Sequence, residues 1–299
     1  MRNYFLLTLI LFSSFSITAQ KILITDLEVD KLNSPHGLDN KNPKFSWIID
    51  TDHYNVLQTH YQVFVATDKV FSKNSLVWDS GKVASEESVY VNYLGKELAY
   101  DTQYFWTVKV WTNKSKRSSQ SKVSSWKTGL MDKQNWKSNW ITVNNEDMTS
   151  PKIPYFINDF RVDSKIISAN LYITSRGVYE AHINGKRIGD AILTPGWTSY
   201  SNRIQYQAYD VMEMLLTGEN RIGVMLADGW YRNFRQNRKN RIVDYGERTS
   251  FISELIISYE DGRKESIIDE KNWSYNYGPI LSSSIYNGER VDMNLKNSK

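Results

Sequence analysis

Val178, Glu180, His182 and Asn184 alternate with Tyr179, Ala181 and Ile183. A repeat of two is the period of a half-buried strand. Asn184-Gly185 closes the run, and that dipeptide favours the positive φ angles of a tight hairpin turn. Pro195-Gly196 breaks the chain again, after which Ile204, Tyr206 and Ala208 resume the alternation. The pattern predicts strand, turn, strand, loop, strand. Tyr172, Tyr179, Trp197, Tyr200, Tyr206 and Tyr209 are expected to lie exposed or half-buried along it. Rings carried on a rigid sheet can stack on the C–H face of a pyranose. They also fill ordinary sandwich cores, and composition alone favours the core.

The same period recurs on both sides. Before residue 131 it predicts strands at Ile22–Val29, Lys44–Asp50, His60–Thr67, Leu76–Asp79, Val89–Val91, Tyr104–Thr112 and Val123–Thr128. Each is short and flanked by Gly, Asn, Asp, Pro or Ser, the signature of an immunoglobulin- or fibronectin-like sandwich over residues 21–131. Trp47, Tyr61, Phe64, Trp78, Tyr104, Trp106 and Trp111 are its expected core. In the longest strand Tyr104, Trp106, Val108 and Val110 form an all-apolar face that should point inward. Asn113 to Lys122, basic and serine-rich, is expected to be a solvated hairpin loop, with a binding patch as the alternative. Residues 132–154 read as a connection, with Trp136 and Trp140 wedging two domains together.

From residue 155 to 299 strands are predicted at Phe156–Val162, Ile167–Thr174, Val178–Ile183, Arg203–Tyr209, Arg221–Ala227, Phe251–Tyr259 and Glu265–Asp269. A short helix is expected over Asp210 to Leu216, capped by Asp210. Asp261-Gly262 should close a hairpin. The expected fold is all-β: a fibronectin/immunoglobulin-like sandwich followed by a jelly-roll β-sandwich.

Composition narrows the setting. Residues 1–20 read as a secretory signal peptide: Arg2, then an apolar run from Tyr4 to Phe15, then the small-residue end Ser16 to Ala19. That run is too short to span a membrane, so no membrane insertion is expected and the chain should be periplasmic or secreted. There is no Cys, which excludes disulfides, thiolate metal sites and a lipid anchor on cysteine. The formal charge of +4 is mild and does not argue for nucleic acid.

The familiar catalytic signatures are missing. His36, His53, His60 and His182 form no metal-binding spacing, and there is no G-x-S-x-G, P-loop or dinucleotide fingerprint. Glycoside hydrolysis needs two carboxylates on a rigid scaffold. Glu180, Asp228, Glu247, Glu254 and Glu289 are available, but none sits in a recognisable acid/base motif. Binding is easier to see. Asp228 can hydrogen-bond hydroxyls or a cation, with Trp230 and Tyr231 as stacking faces; the plain alternative is a turn with aromatic plugs. Arg232, Arg235, Arg238, Lys239 and Arg241 follow closely. They read either as a solvated loop or as a contact for sulfate or uronate groups, which Arg recognises bidentately.

Several motifs resemble a known family. The run YEAHINGKRIGDAILTPGWTSYSNRIQYQAYDV and then GENRIGVMLADGWYR look like the N-terminal β-sandwich module of bacterial α-L-rhamnosidases, over Tyr155 to Leu295. NPKFSW, HYQVFVAT, LVWDSGKV and YFWTVKVW are similar to the fibronectin-like domain that opens many of them, and NWKSNWIT to their link. In that family the catalytic carboxylates lie on a later α/α-barrel, so the resemblance implies the substrate class without the catalytic residues. Related modules hold rhamnose through calcium. Here the counterparts would be Ser201-Asn202 and the loop Asp244 to Thr249, with Ser201 where a carboxylate is expected; Asn202 and Asp244 are the metal candidates. The resemblance thus implies a non-catalytic binder of rhamnose-containing polysaccharide, neutral or acidic. Its binding residues would be Trp197, Tyr200, Asn202, Asp228, Trp230, Tyr231, Arg232 and Arg235, with a separate hydrolase domain or chain as partner. A rhamnosidase acting alone and a structural spacer are the alternatives.

Overall fold

A computed structural model describes residues 22–144, 146, 152–232, 235–236, 241–242, 245–267 and 270–295; for 235–236, 241–242 and 270 it describes the backbone only. The predicted signal segment and Asp244 lie outside the described residues, as do Arg238 and Lys239. By contacts the chain divides into two units. One holds residues 22–33, 44–95 and 106–124; the other holds 34–43, 96–105 and the residues from 125 onward. Both are built from β-strands. Among the described residues no helix is long and apolar enough to cross a membrane.

The strands up to residue 128 are β1 (Leu23–Val29), β2 (His36–Leu38), β3 (Lys44–Asp50), β4 (Gln58–Ala66), β5 (Leu76–Asp79), β6 (Val83–Ala84), β7 (Val91–Asn92), β8 (Gln103–Thr112), β9 (Ser115–Gln120) and β10 (Ser124–Thr128). In the first unit β1-β3-β7 make one sheet and β8-β4-β5 the centre of another. The expected parity of β8 holds: Tyr104, Trp106, Val108 and Val110 are all buried. Phe45 packs against Trp78, Tyr93 and Trp106, with the closest centroids 4.6 Å apart. The Trp47 indole N–H, buried with it, donates to Gln58 at 3.0 Å, so the ring brings no unpaired donor into the core.

Two expectations for this unit need correction. Phe64 and Trp111 are half-buried. Phe64 alternates with the buried Val63 and Val65, so it must point to the other face, where Lys109 covers it; Lys82 likewise lies over Trp111. Ser115–Gln120, expected as loop, is strand β9 paired with β8. Its residues are almost all exposed and polar, so backbone pairing makes a strand that no hydrophobic alternation marks.

The remaining strands are β11 (Pro154–Val162), β12 (Ile166–Arg176), β13 (Val178–Ile183), β14 (Lys186–Arg187), β15 (Gln207–Asp210), β16 (Gly218–Ala227), β17 (Arg235–Gln236), β18 (Arg241–Ile242), β19 (Ser250–Tyr259), β20 (Lys264–Ser266), β21 (Ser274–Tyr277), β22 (Ile280–Ser284) and β23 (Gly288–Val291). They build a five-stranded sheet β14-β13-β16-β11-β21 and a four-stranded sheet β15-β12-β19-β20. One core lies between the two sheets. Phe156 and Phe160 of β11, Tyr179, Ala181 and Ile183 of β13, and Ile222, Val224 and Leu226 of β16 meet Leu171, Ile173, Phe251, Leu255 and Ile257. Each Val, Leu, Ile or Phe among them contributes roughly 1.5–3 kcal/mol by leaving water.

The Asn184-Gly185 prediction holds. Both residues have positive φ, and His182↔Arg187 and Ile183↔Lys186 pair across the turn. The short helix is a single 3-10 turn, Met212–Met214, with the Met212 amide donating to Asp210 at 3.0 Å. Burial corrects the aromatic expectation: Tyr172, Tyr179 and Tyr200 are buried, Tyr206 and Tyr209 half-buried, and only Trp197 is well exposed. Trp136 packs edge-on against Tyr206, 5.5 Å between centroids, and Arg176 lies over Trp140. Glu254, on the face of β19 away from the main core, accepts bonds from the Lys137 and Ser138 amides and the Ser138 hydroxyl. That carboxylate is therefore a buried anchor for the connecting segment.

Candidate functional site

The connection between β14 and β15 is irregular as far as Tyr206, so the strand expected from Arg203 begins only at Gln207, and hydrogen bonds fix the connection instead. The Tyr179 amide donates to the Thr194 carbonyl at 2.8 Å, and the Thr194 hydroxyl donates back to the Tyr179 carbonyl. The Arg187 guanidinium donates to the carbonyls of Gly189 and Ala191. Beyond Pro195-Gly196 the chain turns at Ser199, whose carbonyl accepts from Asn202 and Arg203. Trp197 is carried on this strapped loop and is 64% exposed.

Rings from two other segments join those of this loop around Tyr245 and Tyr200. Its indole N–H donates to the Tyr245 hydroxyl at 3.0 Å. Tyr200 is buried, its centroid 5.0 Å from Tyr245 and 5.1 Å from Tyr231. The Tyr231 carbonyl accepts from the amides of Tyr245 and Gly246, and a Cβ on residue 246 would sit 2.2 Å from the Tyr231 hydroxyl, so glycine permits the close approach. Burial pushes the Tyr200 phenol up to about 12, so it stays neutral among the neighbouring rings. The result is an exposed indole whose edge is held by Tyr245, a ring that itself packs on Tyr200, which in turn packs on Tyr231. An apolar ring face held in fixed orientation can take the C–H face of a sugar without an ordering cost at binding.

The structure thus brings Trp197, Tyr200 and Tyr231 together. Tyr245 was missed by sequence reasoning, which singled out its loop for oxygen ligands and not for its ring. Trp230 is half-buried on the turn that presents Tyr231. Asn202 is exposed and donates to the Ser199 hydroxyl at 3.2 Å. Among the described residues no three His, Cys, Asp or Glu side chains cluster as a metal site. Arg235 lies on β17, opposite Ile242, with its side chain outside the described residues.

Asp228 and Arg232 are corrected. Arg232 is fully buried; its guanidinium meets Asp228 at 2.8 and 2.7 Å and Glu146 at 2.6 Å. A guanidinium leaves water only when paired, and here two nearly buried carboxylates pair it. Neither Arg232 nor Asp228 reaches the surface as a saccharide contact. They brace the turn from which Trp230 and Tyr231 project.

Comparison with known proteins agrees with this architecture. Residues 24–132 match the Rha78A-like, N-terminal immunoglobulin domain, and residues 164–299 match the alpha-L-rhamnosidase N-terminal domain. The chain therefore belongs, through both domains, with the N-terminal regions of α-L-rhamnosidases. It is 32% identical over 96% of its length to an α-L-rhamnosidase of Formosa agariphila, of which it covers 34%. The solved α-L-rhamnosidase of Dictyoglumus thermophilum superposes with a TM-score of 0.82 at 36% identity, over 92% of this chain and 32% of that one. The Streptomyces avermitilis enzyme shares the fold, with a TM-score of 0.84 at 22% identity, over 93% and 43%. The chain spans about a third of the length of the Formosa and Dictyoglumus relatives. Among the described residues the helices are three single 3-10 turns, so no α/α-barrel lies within them.

Proposed function

We propose that this chain is a non-catalytic, carbohydrate-binding region of the α-L-rhamnosidase type, recognising rhamnose-containing polysaccharide through the Trp197–Tyr245 platform. One observation carries the reading: a 64% exposed indole fixed by a hydrogen bond to Tyr245, whose own ring packs on the buried Tyr200. Exposing a tryptophan costs hydrophobic free energy, and a strapped ring displayed to solvent fits a partner with an apolar face. The relatives' names supply the substrate class; the platform supplies a place for it. The signal-like start, Arg2 and the apolar run after it, supports work in the periplasm or outside the cell, where a hydrolase domain or chain would act on the captured glycan.

The test is affinity electrophoresis of the whole chain in gels with a neutral rhamnan, with an acidic rhamnose-containing polysaccharide, or without polymer, each with calcium or chelator. Retardation of the wild type, reduced at least tenfold in apparent affinity by Trp197→Ala, is expected. A folded wild type that migrates unretarded in every gel would refute the reading. Steep loss of retardation with salt on the acidic polymer alone would implicate the arginine run in binding anionic groups.

A further inference from the structure

We propose that the outer face of the five-stranded sheet carries a second saccharide site, a hollow centred on Gly223 that takes the face of a neutral pyranose. It lies on a different surface from the Trp197 platform and stands or falls separately. The register builds it. Glu180, Met225 and Tyr155 are cross-strand neighbours on β13, β16 and β11. His182, Gly223 and Ile157 form the adjacent row. Ile222 and Val224 point into the core, so residue 223 must face outward.

A glycine inside a strand forgoes packing and marks a place where something can come close to the backbone. Here a Cβ would find nothing nearer than the Phe156 carbonyl oxygen at 3.7 Å, so no neighbour demands the glycine. The cavity it helps open measures about 560 Å³. That is the size of a small-ligand site, and an apolar floor with few polar groups at the edge is the usual make-up of one.

The rim says what kind of ligand. His182 Nε2 lies 2.8 Å from Glu180 Oε1, and Arg187 Nε donates to Glu180 Oε2 at 3.0 Å. In the next row Arg221 grips Asp159 with two bonds of 2.6 and 2.9 Å. Glu180 and Asp159 are each answered by an arginine, so these pairs offer no net charge to an ion. All remain at least a third exposed, leaving polar edges for hydroxyl groups. Tyr155, Ile157 and Met225 supply the apolar floor. An apolar floor with a charge-balanced polar edge matches a neutral sugar ring better than a uronate or a peptide of one sign.

The experiment is methyl NMR of the whole chain carrying 13C-methyl methionine, with Met225 as the reporter. L-rhamnose, methyl α-L-rhamnoside and D-galacturonate are titrated into wild type, Gly223→Val and Trp197→Ala. Valine suits a strand and has room on this face, so the fold should persist, which thermal melting checks. Expected are saturable Met225 shifts with the neutral sugars in wild type and Trp197→Ala, weakened at least tenfold by Gly223→Val. The proposal is overturned if Met225 does not respond, if galacturonate binds more tightly than the neutral sugars, or if Gly223→Val leaves binding unchanged. Met225 shifts that grow with protein concentration and not with sugar would also overturn it, in favour of a second copy seated on the face. A silent Met225 beside Trp197-dependent gel retardation would sink this site alone; the reverse pattern would sink the platform alone.

Discussion

Two sets of aromatic side chains in this molecule have opposite fates. Phe45, Trp47, Trp78 and Trp106 of the first unit are no more than 9% exposed, whereas Trp197 and Tyr245 of the second are 64% and 44% exposed. Residue type does not separate them. Position in the alternation does. Trp106 shares a face with Tyr104, Val108 and Val110, and a strand with one apolar face must bury it. Trp197 follows Pro195-Gly196 in a stretch without period, so no sheet face claims it. Tyr200 is intermediate: on the same loop, yet buried against Tyr245. Aromatic abundance therefore says little about a site, while an aromatic off the period, on a loop pinned by hydrogen bonds, says a good deal.

The contrast is sharpened first by truncating its buried member. Trp106→Ala should cost about 3–5 kcal/mol, because it removes a wholly buried indole and leaves a cavity beside Phe45. Denaturant unfolding reads this, and a loss under ~1 kcal/mol would mean the core is not packed as described. Arg232→Ala should be comparable, about 3–5 kcal/mol, since it strands Asp228 and Glu146 as buried charges. An arginine serving as an exposed anion contact would instead cost almost nothing in stability. The same variant thus separates the observed role from the one its neighbourhood in sequence suggests.

That misreading shows where sequence reasoning reaches and where it stops. Strands with one apolar face were legible: Lys44–Asp50, Leu76–Asp79 and Val178–Ile183 have the bounds their alternation predicts, and Asn184-Gly185 turns as its chemistry requires. Strand β9 was not, because Ser115–Gln120 is solvated on nearly every side and only its backbone pairing makes it a strand. The terminal hairpin, half-buried along β22 and exposed along β23, escaped for the same reason. Arg232 looked like one of a solvated basic run because its partner Glu146 is 86 positions away. Tyr245 meets Trp197 across 48 residues. Local pattern carries strand parity and turns; it carries neither long-range charge pairing nor the convergence of loops.

The smaller effects test the exposed member. Trp197→Ala should change unfolding free energy by no more than about 0.5 kcal/mol, as surface substitutions usually do, while weakening polysaccharide retention. Loss of more than ~2 kcal/mol would make Trp197 a core residue in all but appearance, and the two aromatic sets would cease to differ in kind.

The smallest effect concerns β13, where the same alternation puts Tyr179 and Ala181 inside and Glu180 and His182 outside. The hydrogen bond from His182 is the main influence holding the Glu180 carboxyl below its ordinary value; the charges of His182 and Arg187 add to it, and burial opposes. A carboxyl whose folded value is depressed stabilises the fold above its unfolded value, near 4.3, and that contribution drains away as pH falls through the folded value. The pair is more than a third exposed, so its worth is at most roughly 1 kcal/mol. Carboxyl 13C titration should find the Glu180 midpoint below the ordinary range in wild type and higher in His182→Ala. An unmoved midpoint would mean that His182 does not hold this carboxylate, and the rim around Gly223 would lose one of the contacts that fix its shape.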